Sequence, residues 1–414
     1  MTGRLYADLT QSWSEKGGGI RVYLNRKRRF ILEQTGDRHL LIIPGAEDAV
    51  IEEERATTVT IRSPHVPGSP NYRLLLRNGA VRAALERFRP DLVECQDAYN
   101  LPWAAIAYQK RHPVTALAAS FMTDFPTAYT FRMVSRVAGE RIGGAAARLA
   151  YRYLARLYGR FDTVVALSEH GGADKLRAVG VKEVSVAPLG VDIDDFSPDL
   201  RDDRLRAEVG AGPGQPLLIY LGRLDREKRA ATVVEAFRLL SPALGARLVL
   251  LGDGPLRDEF IAAPDISSPG FIRDRNLLAR WLASADLYVS GMADETFGIS
   301  VIEAQASGLP VVGVAAGAMI DRVPSELGRL GPVDDAHAMA ANIVALLDDP
   351  NRPALAAAAR AHAASLSWDA AMRRLFEVVY PLAFERRRSA LFNAGSDREA
   401  PDATRTLRTG ATGK

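Results

Sequence analysis

Short apolar runs alternate with helix-like patterns along most of this 414-residue chain, and this alternation constrains the fold more than any other feature. Short apolar runs of this kind predict buried strands. Strands that alternate with helices form parallel sheets with helices on both faces. The predicted strands occupy the ranges 40–43, 92–95, 116–119, 163–167, 217–221, 247–251, 287–290 and 310–313.

The number of predicted elements is too high for one compact domain. Helical patterns lie between the strands at 81–88, 145–158, 230–240 and 338–347, and a break near 200–215 is rich in Asp, Arg, Gly and Pro. We therefore predict an α/β fold with two Rossmann-like domains, 1–195 and 196–368, whose parallel sheets face each other across a cleft at the carboxyl ends of their strands. The polar, aperiodic tail, 391–414, is predicted to be disordered.

Composition narrows the possible functions. The net charge of +3 is too small for a dedicated nucleic-acid binder. The one cysteine, Cys95, allows no intramolecular disulfide and no cysteine metal cage, and we expect a buried strand thiol. The N-terminus lacks the apolar core of a signal peptide, and no run reaches the length of a membrane span. A cytoplasmic protein, or one peripheral on the inner face of the membrane, is expected.

Two glutamates, Glu295 and Glu303, stand eight residues apart around the start of a predicted helix. The first turn of a helix presents unpaired N–H groups and a partial positive charge, and both attract phosphate. Carboxylates accept hydrogen bonds from sugar hydroxyls. One interpretation is therefore that the two carboxylates bind the two ends of a sugar–diphosphate–ribose ligand. The alternative is an amphipathic helix with two solvated glutamates.

Glycines and cations occur together with predicted loops at two other places. Gly222 allows a tight turn after a strand, and Arg223 and Lys228 follow on a loop that faces the predicted cleft, where two cations suit a diphosphate. Gly18 and Gly19 belong to a run of three glycines, which would let backbone N–H groups approach a ligand. The alternatives are solvated loop charges and a flexible loop.

Other sequence patterns argue against dinucleotide, P-loop and metal sites. Gly252 and Gly254 resemble half of a dinucleotide fingerprint, but the third glycine is missing and Pro255 suits the first turn of a helix. The P-loop pattern is absent. Asp192 and Asp194 form an Asp-x-Asp at the entrance to the interdomain linker, which we interpret as a turn and not as a metal site.

In this order, the segments resemble the retaining glycosyltransferases of family 4, which have the GT-B architecture. The resemblance covers nearly the whole chain and also includes 186–192, before the linker, and 308–312, after the second glutamate. Ser367, Trp368 and the amphipathic stretch 371–382 resemble the family's final helix, which crosses back to the first domain. The resemblance therefore implies a crossover helix at 369–390.

The resemblance also implies roles for individual residues. Glu303 is expected to hold the donor ribose and Glu295 a sugar hydroxyl, while Arg223 and Lys228 neutralise the diphosphate. Main-chain groups around the phosphates, the sugar and the base are expected at Gly18, Gly19, Phe271, Ile272, Arg273, Phe297, Gly298 and Ile299. The expected catalytic residues are Glu295, Arg223, Lys228 and Asp124. Neither a metal nor another cofactor is implied, since two cations and a helix dipole offset the charge of the leaving group.

The implied reaction is transfer of a hexose, with retention, from a nucleotide-diphosphate sugar to a hydroxyl of a glycan or glycolipid in envelope or exopolysaccharide biosynthesis. The stretches 123–129 and 270–274 resemble those of GDP-mannose-dependent α-mannosyltransferases and sulfolipid synthases, so mannose is favoured over other hexoses. Those relatives usually carry a histidine where this chain has Met122, which is a poor hydrogen-bond partner. Thr123 or Asp124 would have to replace it, or activity is reduced.

Arginines cluster in two parts of the first domain. Arg148, Arg152, Arg156 and Arg160 are spaced four apart along one helical stripe, and 26–29 form a second cationic run. Such surfaces suit an anionic membrane or a polyanionic acceptor. The alternative is a solvated helix face.

Two other functions remain open at this point. A sugar-nucleotide epimerase could share the architecture, although it would need titratable groups on both sides of the sugar. A non-catalytic sugar-nucleotide-binding partner subunit is the second, because Met122 departs from the pattern and fold alone does not guarantee activity.

Overall fold

The computed structural model describes residues 3–14, 18–67 and 69–399. Within these residues, one sheet of eight strands forms in the first half of the chain and one of six strands in the second. Helices cover both sheets, so the predicted fold class of two Rossmann-like domains is confirmed. The proposed boundary between 195 and 196 falls in the segment that joins the two sheets and stays a prediction.

The first sheet has the strand order β10-β9-β8-β7-β1-β2-β4-β3, and all its neighbours are parallel except the pair β3 and β4. Its strands are β1 (Leu5–Leu9), β2 (Arg38–Gly45), β3 (Ala49–Glu52), β4 (Ala56–Arg62), β7 (Leu92–Cys95), β8 (Ala116–Phe121), β9 (Thr163–Ala166) and β10 (Val184–Val186). A separate antiparallel hairpin pairs β5 (His65–Val66) with β6 (Ser69–Arg73).

The helices of the first half are α1 (Gly19–Gln34), α2 (Asn78–Phe88), α3 (Leu101–Gln109), α4 (Arg132–Ala138), α5 (Glu140–Tyr158) and α6 (Asp174–Ala178). Two π-helical turns, Pro126–Phe131 and Glu169–Ala173, lead into α4 and α6. The buried Cys95 ends β7, as expected for a strand thiol.

The second sheet is wholly parallel and has the strand order β13-β12-β11-β14-β15-β16. Its strands are β11 (Leu217–Leu221), β12 (Arg247–Leu251), β13 (Ile266–Gly270), β14 (Leu287–Val289), β15 (Val311–Val314) and β16 (Gly328–Gly331). The helices of this half are α7 (Asp203–Glu208), α8 (Ala230–Arg238), α9 (Arg257–Phe260), α10 (Arg275–Ser284), α11 (Ile299–Ala306), α12 (Ala318–Arg322), α13 (Ala336–Leu347), α14 (Arg352–Ala364), α15 (Trp368–Arg374) and α16 (Tyr380–Glu399). Short helical turns occupy Pro198–Leu200, Pro242–Leu244 and Leu375–Val379.

Apolar packing explains why the strand predictions succeed. Every residue of β8 is buried, as is every residue of β11 except Leu221, because helices cover both faces of each sheet. One apolar cluster extends without interruption from the inner face of the first sheet to that of the second, for example from Leu41 through Val191 to Leu217. The two domains therefore share a core.

The chain returns to the first domain at its C-terminal end. Gly190 lies against the backbone of Trp368, where a Cβ atom would come within 2.3 Å of the Trp368 Cα. Farther along, the ring of Phe376 packs on Tyr6 with centroids 5.0 Å apart, and the Tyr380 hydroxyl donates to Glu94. Residues 369–390 therefore pack on the first domain.

Part of the segment predicted to be disordered is helical. Helix α16 continues to Glu399, which covers the first nine residues of the predicted tail, 391–399. The segment lacks an apolar period, but it extends a helix that is already anchored, and a formed helix propagates more easily than it nucleates. The rest of the predicted tail, 400–414, lies outside the described residues.

The second cationic run, 26–29, does not form the free cationic surface that the sequence suggested. Lys27 is fully buried, with its Nζ atom 2.7 Å from Asp8 and 2.7 Å from Glu94. Arg28 donates to the His39 ring and to residues of β4, and the outer two arginines pair with Asp192 and Glu33. Of this run, only Lys27 is buried, while Arg26 and Arg29 are 34% and 63% exposed and are paired with carboxylates. No helix in the described ranges is both long enough and apolar enough to cross a bilayer.

Candidate active site

A cleft of about 1600 Å³ lies between the two domains and is lined by both. Its walls include residues that directly follow β1, β8, β11 and β13, namely Gln11, Met122, Gly222 and Phe271. In doubly wound sheets, ligands bind at this carboxyl edge of the strands. The cleft predicted from the strand pattern is therefore present.

The start of α11 forms the centre of the second-domain wall. Phe297 is buried and anchors the loop before the helix, while Gly298 adopts a left-handed conformation with φ of 86°. Only glycine adopts that conformation without strain, so Gly298 lets the loop turn directly into α11. Phe297, Gly298 and Ile299 all line the cleft, as predicted. The first turn of a helix attracts anions, and α11 begins at the cleft wall.

Glu303 lies one turn inside α11 and also lines the cleft, although it is only 6% exposed. Burial raises the pKa of its carboxyl group to about 7, and Arg275 partly opposes this shift because its Nη2 atom lies 3.3 Å from Glu303 Oε1. Arg275 also lines the cleft and was missed from the sequence. Its position directly after the predicted base-binding segment, 270–273, could have indicated that Arg275 lies near the ligand.

Lys228 and Glu295 face each other in the cleft. Lys228 Nζ lies 3.4 Å from Glu295 Oε2, and each side chain is about one quarter exposed. A cation and a carboxylate at this separation are only loosely paired, so both remain able to contact a ligand. The structure therefore brings two of the predicted site residues, Lys228 and Glu295, together at the start of α11.

Arg223 differs from the other predicted donor residues, since it does not line the cleft. Its guanidinium group is 61% exposed and pairs with Asp225 at 2.9 Å and Glu227 at 2.6 Å. Glu227 in turn lies 2.6 Å from Arg132, which belongs to the first domain and also approaches Asp294 at 3.5 Å. Arg223, which we expected to contact the diphosphate, is thus paired with carboxylates in this structure.

The remaining predicted donor contacts do line the cleft. They are Gly18 and Gly19 at the start of α1, and Phe271, Ile272 and Arg273 after β13. Gly18 has φ of 125° and Gly270, which ends β13, has φ of 88°, so both segments turn at glycine. Gly17 lies outside the described residues.

The first-domain wall contains residues that were not predicted as site residues, although Tyr129 lies in the stretch 123–129 that resembles mannosyltransferases. It includes three aromatic rings from three separate segments, and it also includes Arg73 and Asn100. The aromatic residues are Tyr72, Tyr99 and Tyr129. Near them, Asp97 accepts hydrogen bonds from Thr10 and from the backbone of Gln11, which fixes the loop after β1. No regular spacing connects these positions.

Asp124, which we predicted to be catalytic, does not line the cleft. It is buried, and its two carboxylate oxygens accept from Tyr151 at 2.7 Å and Lys175 at 2.8 Å. These partners hold the turn before α4 against α5 and α6, so the carboxylate faces the domain interior. The neighbouring Met122 and Thr123 do line the cleft.

Hydrogen bonds across the domain interface hold the loop before α11. Thr296 donates to the Met122 carbonyl at 3.1 Å, and Ser168 donates to the Thr296 carbonyl at 2.8 Å. Behind them, Arg322 donates to the carbonyls of Leu167 in the first domain and Phe297 in the second. Burial lowers the pKa of Arg322 to about 10. The donor wall is therefore positioned partly by the first domain.

The arginine stripe lies outside the cleft. Arg148, Arg152 and Arg156 project from the exposed face of α5, and Arg160 follows the helix with its guanidinium group 5.6 Å from the Trp103 ring. The first three form no ion pair with any described residue. They are therefore available to a partner on the outer surface.

Comparison with family models divides the chain in the same way as the two sheets. The model "Glycosyltransferase Family 4" matches residues 17–195, and "Glycosyl transferases group 1" matches residues 215–349. The first contains the three tyrosines of the cleft, and the second contains Lys228, Glu295 and Glu303.

Curated relatives match over most of the chain. A GDP-mannose-dependent alpha-(1-6)-phosphatidylinositol dimannoside mannosyltransferase of Mycobacterium tuberculosis is 31% identical over 336 residues, which are 79% of this chain and 84% of the relative. A sulfoquinovosyl transferase of Arabidopsis thaliana is 27% identical over 379 residues, 87% of this chain and 71% of the relative.

Solved structures share the architecture at lower identity. Sucrose-phosphate synthase from Thermosynechococcus elongatus has a TM-score of 0.68, is 21% identical and covers 94% of this chain and 100% of its own. WaaG, a glycosyltransferase involved in lipopolysaccharide biosynthesis, has a TM-score of 0.60, is 18% identical and covers 89% and 98%. The fold is therefore GT-B. On these matches and this cleft, the chain belongs to glycosyltransferase family 4 and is a glycosyltransferase.

Proposed function

We propose that the enzyme transfers a hexose, with mannose favoured, from a nucleotide-diphosphate sugar to a hydroxyl of a glycan or glycolipid, with retention at the anomeric carbon. The single observation that carries this proposal is the convergence of Lys228, Glu295, Glu303 and the start of α11 on one interdomain cleft. The relatives named as GDP-mannose-dependent mannosyltransferases support mannose, and the phosphatidylinositol dimannoside in one of these names supports a glycolipid acceptor.

Each part of the donor has a matching group in the cleft. Glu303 accepts hydrogen bonds from the ribose hydroxyls, and Glu295 accepts one from the sugar. The N–H groups at the start of α11 and the Lys228 ammonium group receive the diphosphate. The main chain at 271–273 contacts the base, and the turn at Gly18 and Gly19 encloses the phosphates and sugar from the opposite wall.

The protein acts mainly by positioning and by charge stabilisation. As the glycosidic bond breaks, negative charge grows on the leaving diphosphate, where Lys228 and the helix dipole stabilise it. The departing phosphate then accepts the proton of the acceptor hydroxyl on the same face of the sugar, which gives retention. Among the described lining residues, both carboxylates, Glu295 and Glu303, lie on the donor wall, which supports this route over a protein base beside the acceptor.

Arg223 contributes only after its ion pairs rearrange. Glu227 holds it in the present structure, and the same carboxylate pairs with Arg132 of the first domain. A bound diphosphate offers two negative charges to Arg223 in place of Glu227. We therefore propose that Arg223 joins the diphosphate in the donor-bound state.

We also propose that the reaction needs no metal. The cations of the cleft and the dipole of α11 supply the positive charge that a metal would otherwise provide. Full activity in EDTA is the expected result. Loss of activity that added Mg²⁺ restores would contradict this part of the proposal.

The experiment that tests the function measures thermal stability with GDP- and UDP-sugars, followed by product analysis. A true donor raises the melting temperature because it binds the native state. We expect GDP-mannose to give the largest shift, nucleotide release that requires an acceptor, and an α-linked product by NMR. Donor binding without acceptor-dependent release would indicate a binding subunit, and interconversion of the sugar nucleotide itself would indicate an epimerase.

We place the enzyme on the cytoplasmic side of a membrane, as a peripheral protein. The support is the lipid acceptor in the name of the Mycobacterium tuberculosis relative and the unpaired arginines of α5. Co-sedimentation with inner-membrane fractions that is reversed by salt is the expected result.

A further inference from the structure

The hairpin formed by α4 and α5, residues 132–158, exposes large apolar side chains to an unusual degree. Val137 is 89% exposed, Met133 66%, Leu149 64% and Ile142 55%. Val137 and Ile142 flank the turn at Gly139, where α4 ends and α5 begins. Isolated exposed apolar residues are ordinary, but four on one short hairpin indicate an interaction surface.

The packing of the two helices fixes which way the apolar residues of α4 point. A Cβ atom at Gly143 of α5 would lie 1.9 Å from the Ser135 hydroxyl and 3.0 Å from the Phe131 carbonyl, so this side of α4 faces α5. Met133 and Val137 are four residues apart on the opposite side. They are therefore turned away from α5, and their exposure is a consequence of the helix pairing.

The same side of α4 continues into the cleft. Tyr129 precedes Met133 by four residues, is 56% exposed and lines the acceptor wall. Tyr129, Met133 and Val137 thus form an apolar strip from the cleft to the tip of the hairpin. A lipid tail attached to a sugar in the cleft could follow this strip outward.

Positive charge surrounds the apolar tip. Between 126 and 160 the sequence has one acidic residue, Glu140, and seven arginines. The arginines are Arg132, Arg136, Arg141, Arg148, Arg152, Arg156 and Arg160. Except for Arg132, which contacts the second domain, none of them forms an ion pair with a described residue. In the run 26–29, by contrast, Arg26, Lys27 and Arg29 each pair with a carboxylate.

We propose that the tip of this hairpin docks on the surface of an anionic lipid bilayer. Val137 and Ile142 enter the boundary between headgroups and acyl chains, and the arginines on the outer face of α5 contact lipid phosphates. The strip from the tip to Tyr129 then presents a lipid-linked acceptor to the cleft. The docking specifies the surface for the peripheral membrane placement proposed above, and the last step rests on the proposed sugar transfer.

The test is flotation of the full-length enzyme with two kinds of vesicle, pure phosphatidylcholine and phosphatidylcholine mixed with phosphatidylglycerol. Two variants change the surface, Val137→Asp at the tip and the double reversal R148E/R152E on α5. Two matched controls change exposed residues elsewhere. They are Val114→Asp, at the amino end of β8 and 76% exposed, and R204E/R238E in the second domain. All six positions in these four variants are exposed, so folding should be preserved.

We expect the wild type to float with mixed vesicles and not with neutral ones. The apparent partition coefficient should fall about 10-fold in Val137→Asp, because one buried apolar side chain is lost. It should fall at least about 30-fold in R148E/R152E, because each cation contributes at an anionic surface. Both controls should stay within about twofold of the wild type. Added salt should weaken the binding of the wild type more than that of R148E/R152E.

Three results would overturn the inference. Equal flotation of the wild type and both surface variants would show that the hairpin is a solvated surface. Equal binding to neutral vesicles would exclude the role of the arginines. A wild type that is dimeric by ultracentrifugation, with a monomeric Val137→Asp variant, would assign the tip to a second copy of the chain.

Nucleotide release in vesicle-free solution separates this inference from the proposed function. All four variants should release nucleotide at the wild-type rate with a water-soluble acceptor. A wild type that floats but releases no nucleotide would refute the proposed function and leave the docking intact. Loss of release in Val137→Asp alone would show that the strip serves the cleft and not the membrane, which would overturn the inference.

Discussion

The two walls of the cleft differ in how they are built. On the donor wall, the ligand-facing residues follow strands of one parallel sheet, as with Lys228 after β11, Phe271 after β13 and Glu295 after β14. On the acceptor wall, Met122 also follows a strand, but the three aromatic residues come from a separate hairpin, a strand-to-helix loop and a π-helical turn. These residues are Tyr72, Tyr99 and Tyr129.

This difference has a physical cause. Phosphate binding needs a strand, a glycine turn and a helix start, and all three lie within a few residues of each other in the chain. Acceptor binding needs only a surface of the right shape, which loops from distant parts of the chain can supply. On the donor wall, a short sequence motif therefore indicates both the residue types that bind the ligand and their place in the fold. On the acceptor wall, the sequence near each residue does not indicate that it reaches the cleft.

The largest effect should follow from changing Glu303, because its role depends on charge at a buried site. In Glu303→Gln, the loss of charge-assisted hydrogen bonds to the ribose should weaken donor binding by about 2–4 kcal/mol, or at least about 30-fold. Calorimetric titration with the nucleotide diphosphate measures this loss. Glu259→Gln, at an exposed position of α9, is the matched control. Unchanged affinity in a folded variant would remove Glu303 from the donor site.

Lys228 should have the next largest effect, and it should exceed that of Arg223. Lys228→Ala should lower kcat by roughly 100-fold, by analogy with removal of one oxyanion donor. Arg223→Ala should lower kcat only about 10-fold, because Arg223 is already paired with Glu227 in the unliganded enzyme. Steady-state kinetics at saturating acceptor compare the two. Equal losses would show that the pairing with Glu227 is absent in solution.

The donor wall should also respond to pH through Glu303. Its pKa is raised to about 7 by burial, so the carboxylate is mostly protonated at pH 6 and mostly ionised at pH 8. Ribose hydroxyls donate to the ionised form, and donor affinity should therefore rise about 10-fold between these pH values and level off above them. The dependence should be absent in Glu303→Gln. An affinity that falls over this range would contradict the assignment.

The success of the sequence analysis follows the same division. All eight predicted strands form, because parallel strands that are buried on both faces appear in the sequence as short apolar runs. Of the predicted donor residues, only Arg223 is outside the cleft, where it pairs with Glu227, four positions along the chain. The contact that holds Glu227 from the other side, with Arg132 of the first domain, is visible only in three dimensions. The sequence could not show that Asp124 lies outside the cleft lining, because Lys175, which pairs with it, is fifty-one positions away.

The sequence also could not separate the two arginine clusters. Both are cationic runs, but the partners of Lys27 lie on β1 and β7, whereas the α5 arginines form no ion pair within the part of the chain that the structure describes. Likewise, the apolar tip at Val137 cannot be distinguished from a core position until the packing of α4 on α5 is known. Pairing and exposure are properties of tertiary structure, and composition does not determine them.

On the acceptor wall, a single substitution should have a smaller effect than on the donor wall. The ring of Tyr99 is 44% exposed and lines the cleft. Tyr99→Ala should raise the acceptor KM roughly 5-fold through lost ring contact, while donor affinity stays within about twofold. Tyr99→Phe keeps the ring and should behave as the wild type. A change confined to donor affinity would move Tyr99 to the other wall.

The smallest effect should come from Met122, which stands where the two walls meet. Its carbonyl accepts from Thr296, so the main chain is already fixed, and only its side chain differs from the histidine that the family resemblance leads us to expect. Met122→His adds a ring nitrogen that can hydrogen-bond a sugar hydroxyl, worth about 1 kcal/mol, so kcat/KM for the donor should rise about 3- to 5-fold. Met122→Leu, which keeps the apolar character, should change it less than about twofold. If Met122→His lowers the rate instead, the cleft is shaped around the thioether and the donor sugar sits differently from that of the histidine-bearing relatives. The comparison of Met122→His with Met122→Leu therefore tests whether the acceptor domain contributes a polar contact to the donor sugar or only a wall.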